Sequence, residues 1–305
     1  MSAMPIDIAD PIAEALEAGR PVVGLDTALL AGGLPRPRNR VLAEDAEGAI
    51  RDAGAVPATI GVVDGVIRVG LDGQQLARLA DGAEALSARD LPFAAAVGAD
   101  GGVTAGAAAL VAARSGIGVV ATAAIGGVRR DARDSYDESA DLAALAQART
   151  TVVCGGVLPT VDAGLTLERL ETLNVTTLGC QVARLPSAYL GPTEARLPRE
   201  VADVATVAEV AASRDALGLP AGAVLAVVAL PPDDAIPPRF HDRLLRTAVA
   251  SAARQDIRGP ALTPFLLRTM HQSSQGRSLQ AHAGLVATVA ASAGGVAVAR
   301  ATLTP

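Results

Sequence analysis

Apolar residues along this chain fall into short runs, separated by longer stretches in which they are spaced more widely. The short runs, four to six residues long, predict buried strands because they are too short for helices and rich in β-branched residues. They are Pro21–Leu25, Ala58–Val63, Val66–Leu71, Gly118–Thr122, Thr151–Cys154, Thr176–Gly179 and Val224–Ala229. An Asp64-Gly65 pair between two of these runs is typical of a tight hairpin turn.

The longer stretches are rich in alanine and leucine and predict helices. They are Asn39–Ala53, Thr104–Arg114, Glu138–Arg149, Thr160–Leu173, Val201–Leu217, Arg239–Ile257 and Leu279–Ala299. Because strands and helices alternate, we expect a layered α/β fold with a mixed, mainly parallel central sheet and helices on both faces. Proline-rich segments at Leu34–Pro37, Leu185–Pro198 and Leu230–Pro238 are predicted to be loops rather than linkers, since core-like segments continue on both sides. We therefore expect residues 1–305 to form one domain.

The composition excludes several classes of protein. Of the residues, 50% are hydrophobic, 19% are charged and 2% are aromatic, and the net charge is −6. Without a basic stripe or stacking aromatic residues, nucleic-acid binding is not expected. The uncharged segment Ala283–Ala299 is short and dominated by small residues, so we expect a buried helix and no membrane span. The first residues do not resemble a signal peptide, and Cys154 and Cys180 are expected to be reduced thiols in a cytoplasmic protein.

The chain contains no lysine, and all 26 of its basic residues are arginine. Drift of codons toward high GC content explains such a composition without any functional cause, and the abundance of Ala, Gly and Val agrees with it. The absence nevertheless limits the chemistry, because arginine stays protonated and does not form the Schiff base that a lysine amine can form.

Three segments carry candidate chemistry. Asp26 follows a predicted strand and precedes a Gly- and Pro-rich loop, where a carboxylate suits acid–base work at the carboxyl edge of a sheet. Gly126 and the glycine after it can bring backbone amides close to an anion, and the acidic stretch Asp137–Asp141 offers ligands for a hard cation. The third segment, Leu262–Leu267, precedes His282. Each feature alone is more often a turn, a helix cap or a core histidine than part of a site.

Taken together, these segments resemble the pseudouridine-5′-phosphate glycosidase family, also called indigoidine synthase A-like proteins. The resemblance runs in the family's order from about Pro21 to Val289. It rests on the blocks Gly54–Ile60, Ser87–Phe93, Ile125–Val128, Ser139–Leu142, Leu165-Thr166 with Leu170–Thr172, and Thr263–Leu267. It implies the family's layered α/β fold, in agreement with the hydrophobic pattern.

The resemblance also implies a reaction and a set of site residues. Enzymes of this family reversibly join or split the C–C bond between uracil and ribose 5-phosphate. They use a lysine that holds the opened sugar as an imine, a glutamate that transfers protons and a divalent metal, typically Mn²⁺, and they assemble as homotrimers. Where this chain keeps the family's residue types, the resemblance implies metal binding at Asp137 and substrate contacts at Thr104, Thr122, Ser139 and Asp141.

At other positions the chain departs from the family. The proton-transfer glutamate is matched by the shorter Asp26, and the imine-forming lysine is matched by Leu158. A second substrate-contacting lysine, two histidines and a substrate-contacting asparagine are also replaced; the residues found there are Ala85, Arg129, Gly32 and His282. Leu158 and Ala85 make the pocket more apolar, as an uncharged ligand would require.

These departures lead to three hypotheses. The first is an enzyme repurposed as a non-covalent lyase, cyclase or isomerase in specialised metabolism, acting on a small molecule such as a C-glycoside or polyketide-like compound. Asp26 would transfer the proton, His282 or Arg129 would polarise or pair with the substrate, and the only cofactor would be, at most, a weakly held Mn²⁺ at Asp137. The second is a ligand-binding or regulatory protein without activity. The third and least favoured is the family's own glycosidase reaction, because no lysine can form the imine.

Overall fold

The computed structural model describes residues 6–218 and 222–303, in which strands and helices alternate. The strands are β1 Ile6–Ile8, β2 Val22–Leu25, β3 Val56–Val63, β4 Val66–Val69, β5 Glu84–Leu86, β6 Gly101–Val103, β7 Val119–Thr122, β8 Thr151–Cys154, β9 Thr176–Cys180, β10 Arg184–Pro186, β11 Pro192–Arg196, β12 Glu200–Val201 and β13 Val224–Val227. The α-helices are α1 Asp10–Glu17, α2 Arg38–Asp52, α3 Gly73–Ala80, α4 Leu91–Val97, α5 Ala105–Arg114, α6 Ala132–Ser135, α7 Ala140–Leu145, α8 Ala163–Thr172, α9 Val204–Leu217, α10 Pro238–Arg254, α11 Leu262–Ser273 and α12 Arg277–Leu303. A π-helical turn, Leu29–Gly33, follows β2. Each strand and helix predicted from the hydrophobic pattern is present, although several ends differ.

One central sheet runs through the described residues, and most of its strand pairs are parallel. Its order is β1-β4-β3-β2-β7-β8-β13-β9-β12, with β6 paired to β3 and β5 paired to β6. The antiparallel pairs of this sheet are β3 with β4 and β3 with β6. The β3–β4 hairpin turns at Asp64 and Gly65, whose φ angles are 51° and 73°. The predicted mixed, mainly parallel sheet and its hairpin are confirmed.

Each face of the sheet carries its own core, because successive strand residues point to opposite faces. On one face, Val22 and Val120 pack in the same cluster as the alanine-rich helix α5. On the other face, Val23 and Val119 pack with Ile50 of α2 and with α12. The helices thus form a layer on each side of the sheet, as predicted.

Helix α12 is long and apolar enough, by length and composition alone, to cross a membrane. In this fold it lies on the central sheet, packed against α2 and α9. Leu285 and Val289 are buried on its inner side. Gly294 permits the close approach to the end of α2, since a Cβ there would lie 2.5 Å from the Cβ of Ala53. The helix is a core element of this α/β fold.

Two predictions of local structure need correction. The proline-rich segment Leu185–Pro198 is not a loop throughout, because β10 and β11 form an antiparallel pair within it. Pro186 and Pro192 face each other at the end of that pair, a position where a strand tolerates proline. The helix predicted over Glu138–Arg149 is shorter, because Ser139 caps α7: its hydroxyl accepts the N–H of Asp141 at 3.2 Å.

Candidate functional site

The order of the strands reverses between β2 and β7. From β2 the chain passes through α2 to its neighbour β3, whereas from β7 it passes through α7 to β8 on the opposite side. Such a switch leaves a crevice at the carboxyl ends of the two strands, where α/β proteins bind their ligands. Asp26 directly follows β2, and Thr122 is the last residue of β7. The fold therefore brings both residues to this crevice.

A cavity of about 340 Å³, called the outer cavity below, opens at the crevice. Its volume is within the range found for sites of small organic ligands. The hydroxyl of Thr104 is buried and has no hydrogen-bond partner among the described residues, so it can serve a ligand. Eight residues singled out from the sequence line this cavity: Asp26, Ala85, Thr104, Arg129, Asp137, Ser139, Asp141 and Leu158.

Asp26 has the electrostatics of an acid–base group. Burial is the main reason why the pKa of its carboxyl is raised to about 7, although the residue remains partly exposed. The nearby negative charge of Asp141 raises this pKa further, while a hydrogen bond with Thr122 opposes the rise. A carboxyl group with a pKa near neutrality is present in both protonation states, so it can donate and accept a proton at the same pH.

Asp141 holds the loop that borders the outer cavity. One of its carboxylate oxygens accepts the N–H of Gly106 at 2.9 Å, and the other accepts the N–H of Gly126 at 3.1 Å. Gly126 is required here, because a Cβ at this position would lie 2.2 Å from the hydroxyl oxygen of Ser139. The carboxylate predicted to contact substrate therefore also fixes the start of α5 against the glycine loop.

Asp137 lies beside a cation, but the cation is a side chain. Oδ2 of Asp137 is 3.7 Å from Nε of Arg129, and Oδ1 of Asp131 is at the same distance from it. Among the described residues, no group of three His, Cys, Asp or Glu side chains is placed to hold a metal ion. Asp137 therefore offers a divalent metal no three-residue shell of these types among the described residues, and its carboxylate already faces the guanidinium of Arg129.

Arg129 also has hydrogen-bonding capacity left over. Its Nε and Nη1 are buried and make no hydrogen bond within the part of the chain that the structure describes, although the side chain lines the outer cavity. A guanidinium group in this state is suited to an anionic ligand, since its planar donors match phosphate and carboxylate oxygens.

A second cavity of about 70 Å³, called the inner cavity below, lies behind Asp26. Asp26 and Leu29 line both cavities, whereas Thr122 and His282 are among the residues around the inner one. Gly32 belongs to the π-helical turn Leu29–Gly33, other residues of which line the two cavities. The predicted site residues are thus divided between two connected spaces.

His282 is a buried, neutral histidine. Only 3% of it is exposed, and burial lowers the pKa of its ring to about 3. In residues 6–218 and 222–303 neither ring nitrogen has a hydrogen-bond partner, and the rings of Tyr189 and His271 lie 5.9 Å and 6.1 Å away. The structure separates His282 from Arg129, because the first lines the inner cavity and the second lines the outer one.

Several lining residues were not singled out as site residues from the sequence. Ser87, Arg89 and Asp90 line the outer cavity, and the Ser87 hydroxyl donates to Asp90 Oδ2 at 2.6 Å. The signal for them was their place in the Ser87–Phe93 block of the family resemblance. The inner cavity carried no such signal, because its leucines, valines and alanines follow the same helical spacing as ordinary core residues.

Comparison with known proteins defines the class to which this fold and site belong. The family of indigoidine synthase A-like proteins matches residues 11–299. A pseudouridine-5′-phosphate glycosidase from Frankia alni is 47% identical over 96% of this chain and 82% of its own length. Its counterpart from Salinispora tropica is 44% identical over 95% of this chain and 90% of its own length. The chain therefore belongs to the indigoidine synthase A-like family.

Two solved structures share the fold over nearly the whole chain. The prealnumycin C-glycosynthase AlnA, solved in complex with ribulose 5-phosphate, superposes with a TM-score of 0.88 at 32% identity, covering 99% of this chain and 98% of AlnA. An indigoidine synthase A-like protein from Thermotoga maritima superposes with a TM-score of 0.86 at 29% identity, covering 96% of each chain. This chain is thus similar both to proteins named as glycosidases and to a protein named as a C-glycosynthase.

Proposed function

We propose that this protein is a lyase, or the corresponding synthase, that breaks or forms a C–C bond in an anionic, sugar-like small molecule without a covalent intermediate. One observation carries the proposal: at the switch point of the sheet, Asp26 has a pKa of about 7, in a chain that contains no lysine. The relatives support the type of bond, because they are named as a glycosidase of pseudouridine 5′-phosphate and as a C-glycosynthase.

The outer cavity favours a non-covalent route. Leu158 and Ala85 line it at the positions that the family resemblance gives to lysines. Neither side chain can attack a carbonyl carbon, and arginine does not replace lysine as an imine-forming amine. A catalytic cycle in this cavity therefore depends on proton transfer and on electrostatic stabilisation.

A proton-transfer route balances without an amine. The neutral carboxyl of Asp26 donates its proton to the aglycone carbon of a C-glycoside, and the electron pair of the breaking C–C bond stays with that carbon. The positive charge left on the sugar carbon is shared with the ring oxygen. Water adds to this carbon and its proton returns to the Asp26 carboxylate. Synthesis is the reverse of these steps.

In this scheme Arg129 binds the anionic end of the substrate. Its buried Nε and Nη1, which make no hydrogen bond among the described residues although two carboxylates lie 3.7 Å from Nε, offer donors to a phosphate, and the hydroxyl of Thr104 offers another polar contact in the same cavity. Because the guanidinium carries a fixed positive charge, it supplies the cation that a metal would otherwise provide at Asp137.

The proposal extends to the setting of the reaction. An apolar wall at Leu158 and Ala85 suits a less polar aglycone than uracil, which favours specialised metabolism over nucleoside turnover. We place the enzyme in the cytoplasm and expect it to assemble as a homotrimer, as the family resemblance implies.

The test compares two reactions of the purified protein by mass spectrometry. We expect no cleavage of pseudouridine 5′-phosphate and no adduct after borohydride treatment, because no lysine can form an imine. With ribose 5-phosphate and a panel of apolar aromatic acceptors, we expect C–C coupling that is lost in Asp26→Asn. A ribose phosphate trapped on any internal residue would sink the non-covalent route.

A ligand-binding protein without activity is the second candidate. The absence of lysine favours this candidate, because a protein that still binds its ligand but no longer catalyses a reaction would also have lost the catalytic lysine. Saturable binding of ribose 5-phosphate without coupling to any acceptor, and without an effect of Asp26→Asn on binding, would support this candidate.

A further inference from the structure

We propose that the inner cavity is a second subsite, which holds a compact apolar group of the same substrate whose anionic end lies in the outer cavity. The inference rests on the proposed function and deepens it by naming the kind of molecule. That molecule has an anionic, sugar-like end and an aglycone that rests on Leu158 and Ala85 in the outer cavity, and the aglycone extends a branched-alkyl or small-ring substituent past Asp26 into the inner cavity.

The two cavities meet at the proposed acid–base group. Asp26 and Leu29 line both spaces, so a single ligand can extend from one to the other past the Asp26 carboxyl. The inner cavity is lined by residues at the ends of β2 and β7 and by residues of α2 and α12. A group bound there would be held by rigid elements of the fold.

The wall of the inner cavity is mainly hydrocarbon. Two helices and the π-helical turn supply most of it, and the buried apolar residues among them are Leu30, Leu34, Leu42, Ala46, Val289 and Ala290. An apolar group that leaves water for such a wall gains about 25 cal/mol for each Å² of surface that it buries.

Most polar atoms around the inner cavity are already satisfied. The Asn39 amide donates to the carbonyl oxygens of Leu30 and Ala80, both at 2.9 Å. The Thr59 hydroxyl donates to a carboxylate oxygen of Glu47 at 2.6 Å. An ordered buried water needs two to four polar partners, so an apolar occupant fits this cavity better than a water cluster does.

His282 supplies the exception. It is 3% exposed, lines the cavity and has, among the residues that the structure describes, no hydrogen-bond partner at either ring nitrogen. A neutral imidazole offers one donor and one acceptor, and leaving both unmade is unfavourable in a buried site. A ligand whose apolar group carries one hydroxyl or carbonyl oxygen would satisfy one of these two ring nitrogens.

The size of the cavity limits the occupant. It measures about 70 Å³, whereas an engineered apolar cavity of about 150 Å³ binds benzene. A branched alkyl group or the edge of a ring fits, and a fused aromatic system does not fit without movement of the wall.

The experiment uses propan-2-ol, a small branched alcohol, as the probe for the inner cavity and ribulose 5-phosphate as the probe for the outer one. Methyl-labelled protein is titrated by NMR, and the signals of Leu42, Val286 and Val289 report on the alcohol. We expect the alcohol to shift these signals equally with and without saturating ribulose 5-phosphate. Displacement of the alcohol by the sugar phosphate, or no shift at all, would overturn the second subsite.

Two variants separate the cavities. Ala46→Leu fills the inner cavity, so it should abolish the response to the alcohol and leave the affinity for ribulose 5-phosphate within about twofold. Arg129→Gln should weaken the binding of ribulose 5-phosphate and leave the response to the alcohol unchanged. If Ala46→Leu does not fold, Ala43→Leu serves, because Ala43 lines the same cavity at a partly exposed position. If the wild type does not bind ribulose 5-phosphate at all, the proposed function is contradicted. The response to the alcohol then still tests whether the inner cavity binds an apolar group.

Discussion

Asp26 acquires its chemistry from its position and not from its residue type alone. It follows β2 at the switch point of the sheet, where the chain leaves the core but the side chain stays largely surrounded by protein. Burial raises its pKa to about 7, whereas the exposed Asp64 has its pKa lowered by a hydrogen bond from Arg78. The sequence predicted Asp26 as an acid–base group because the end of a strand can be recognised in the sequence. Its raised pKa could not be predicted, because it depends on the packing around the carboxyl group.

Replacing Asp26 by Asn should separate activity from stability. The amide keeps the size and the hydrogen bonding of the carboxyl but cannot transfer its proton, so turnover on the true substrate should fall by about 10²–10⁴. In the wild type the same reaction should slow as pH rises above about 7, because the neutral acid is then lost. Asn39→Ser, in the wall of the inner cavity, is the control; it should leave the pH dependence unchanged. A rate within about twofold of wild type for Asp26→Asn would remove this residue from the mechanism.

The stability of Asp26→Asn should move the other way. A carboxyl whose pKa is raised on folding destabilises the protein above its unfolded pKa of 3.8, and this penalty is fully developed above pH 7. At pH 8 the variant should therefore unfold at a higher temperature than wild type, and its free energy of unfolding should be larger by an amount on the order of 1–3 kcal/mol. Near pH 3.5 the two proteins should have the same stability. Scanning calorimetry at both pH values measures the difference. If Asp26→Asn is less stable than wild type by the same amount at both pH values, the substitution has disturbed the packing around residue 26.

Arg129 should make the protein independent of added metal. The guanidinium stands 3.7 Å from the carboxylate that the family resemblance assigns to the metal, and it keeps a positive charge at every working pH. Titration calorimetry should detect no Mn²⁺ binding at micromolar concentrations in the wild type, and chelators should not change its activity. Inorganic phosphate should raise the unfolding temperature of the wild type but not that of Arg129→Gln. Stoichiometric Mn²⁺ bound to the wild type would contradict the substitution of metal by arginine.

At the scale of elements, three helices bring every histidine of the chain into one cluster. His241 lies on α10, His271 on α11 and His282 on α12, and their rings surround buried Tyr189 at 5.9–6.2 Å. The Nδ1 of His271 is 2.7 Å from the Ser278 hydroxyl, whereas among the described residues neither ring nitrogen of His241 or His282 makes a hydrogen bond, with Asp242 Oδ1 3.9 Å from His241 Nδ1. The sequence showed three isolated histidines, because residues on different helices meet only after the helices pack.

This cluster should make the fold sensitive to acid. Burial lowers the pKa of His241 and His271 to about 4 and that of His282 to about 3, although Asp242 partly offsets the shift at His241 and Arg130 adds to it. Below pH 6.5 the histidines are protonated in the unfolded chain but stay neutral in the folded protein. The free energy of unfolding should therefore fall as pH drops from 6.5 to about 4. With three histidines the slope can reach about 4 kcal/mol per pH unit.

Denaturant unfolding at several pH values tests the role of the cluster. His241→Gln should remove about one third of the slope between pH 6 and pH 4.5, because one fewer group binds a proton on unfolding. Tyr189→Phe is the matched control, since it removes an unpartnered hydroxyl in the same cluster without removing a titrating group in this range. A slope that is unchanged in His241→Gln would mean that acid acts elsewhere in the molecule.

At the scale of the whole molecule, the sequence predicted the layers better than their edges. Apolar runs buried on both faces, such as Thr151–Cys154, are unambiguous, and the structure reproduces that strand end to end. Short edge strands such as Glu84–Leu86 carry no such pattern because only part of each is buried. Helix α3 was missed although Asp72 and Gln75 form a capping box at its start, a signal that the sequence contained.

The residues of the candidate site could be predicted from the sequence, but the shape of the cavities could not. Its members came from the family resemblance, and the outer cavity gathers Asp26, Arg129 and Leu158 from distant parts of the chain. The division into an outer and an inner cavity depends on how α2 and α12 pack behind Asp26. A single sequence does not specify this packing, because cavity-lining and core-forming residues are of the same types.

The cavities also explain why restoring one amine should not restore the family's reaction. Leu158 lines the outer cavity but also packs against two apolar clusters, one of which contains α11 residues such as Leu266, so a lysine there would place its amine among hydrocarbon side chains. Ala85 and the shortened Asp26 would still leave the sugar without its other contacts, and a misplacement of about 1 Å can cost about 100-fold in rate. Leu158→Lys should therefore fold and still fail to cleave pseudouridine 5′-phosphate.

The measurement pairs Leu158→Lys with Leu158→Met, a control that keeps the apolar character and approximate length of the side chain without an amine. Uracil release and borohydride trapping are followed by mass spectrometry for both variants. We expect no release above the wild-type background from either; a trapped adduct in Leu158→Lys without release would show that the amine reaches the sugar but the proton transfer is misplaced. Efficient release by Leu158→Lys alone would mean that the outer cavity has kept the family's geometry and lacks only the nucleophile, and the repurposed function would then lose its main support.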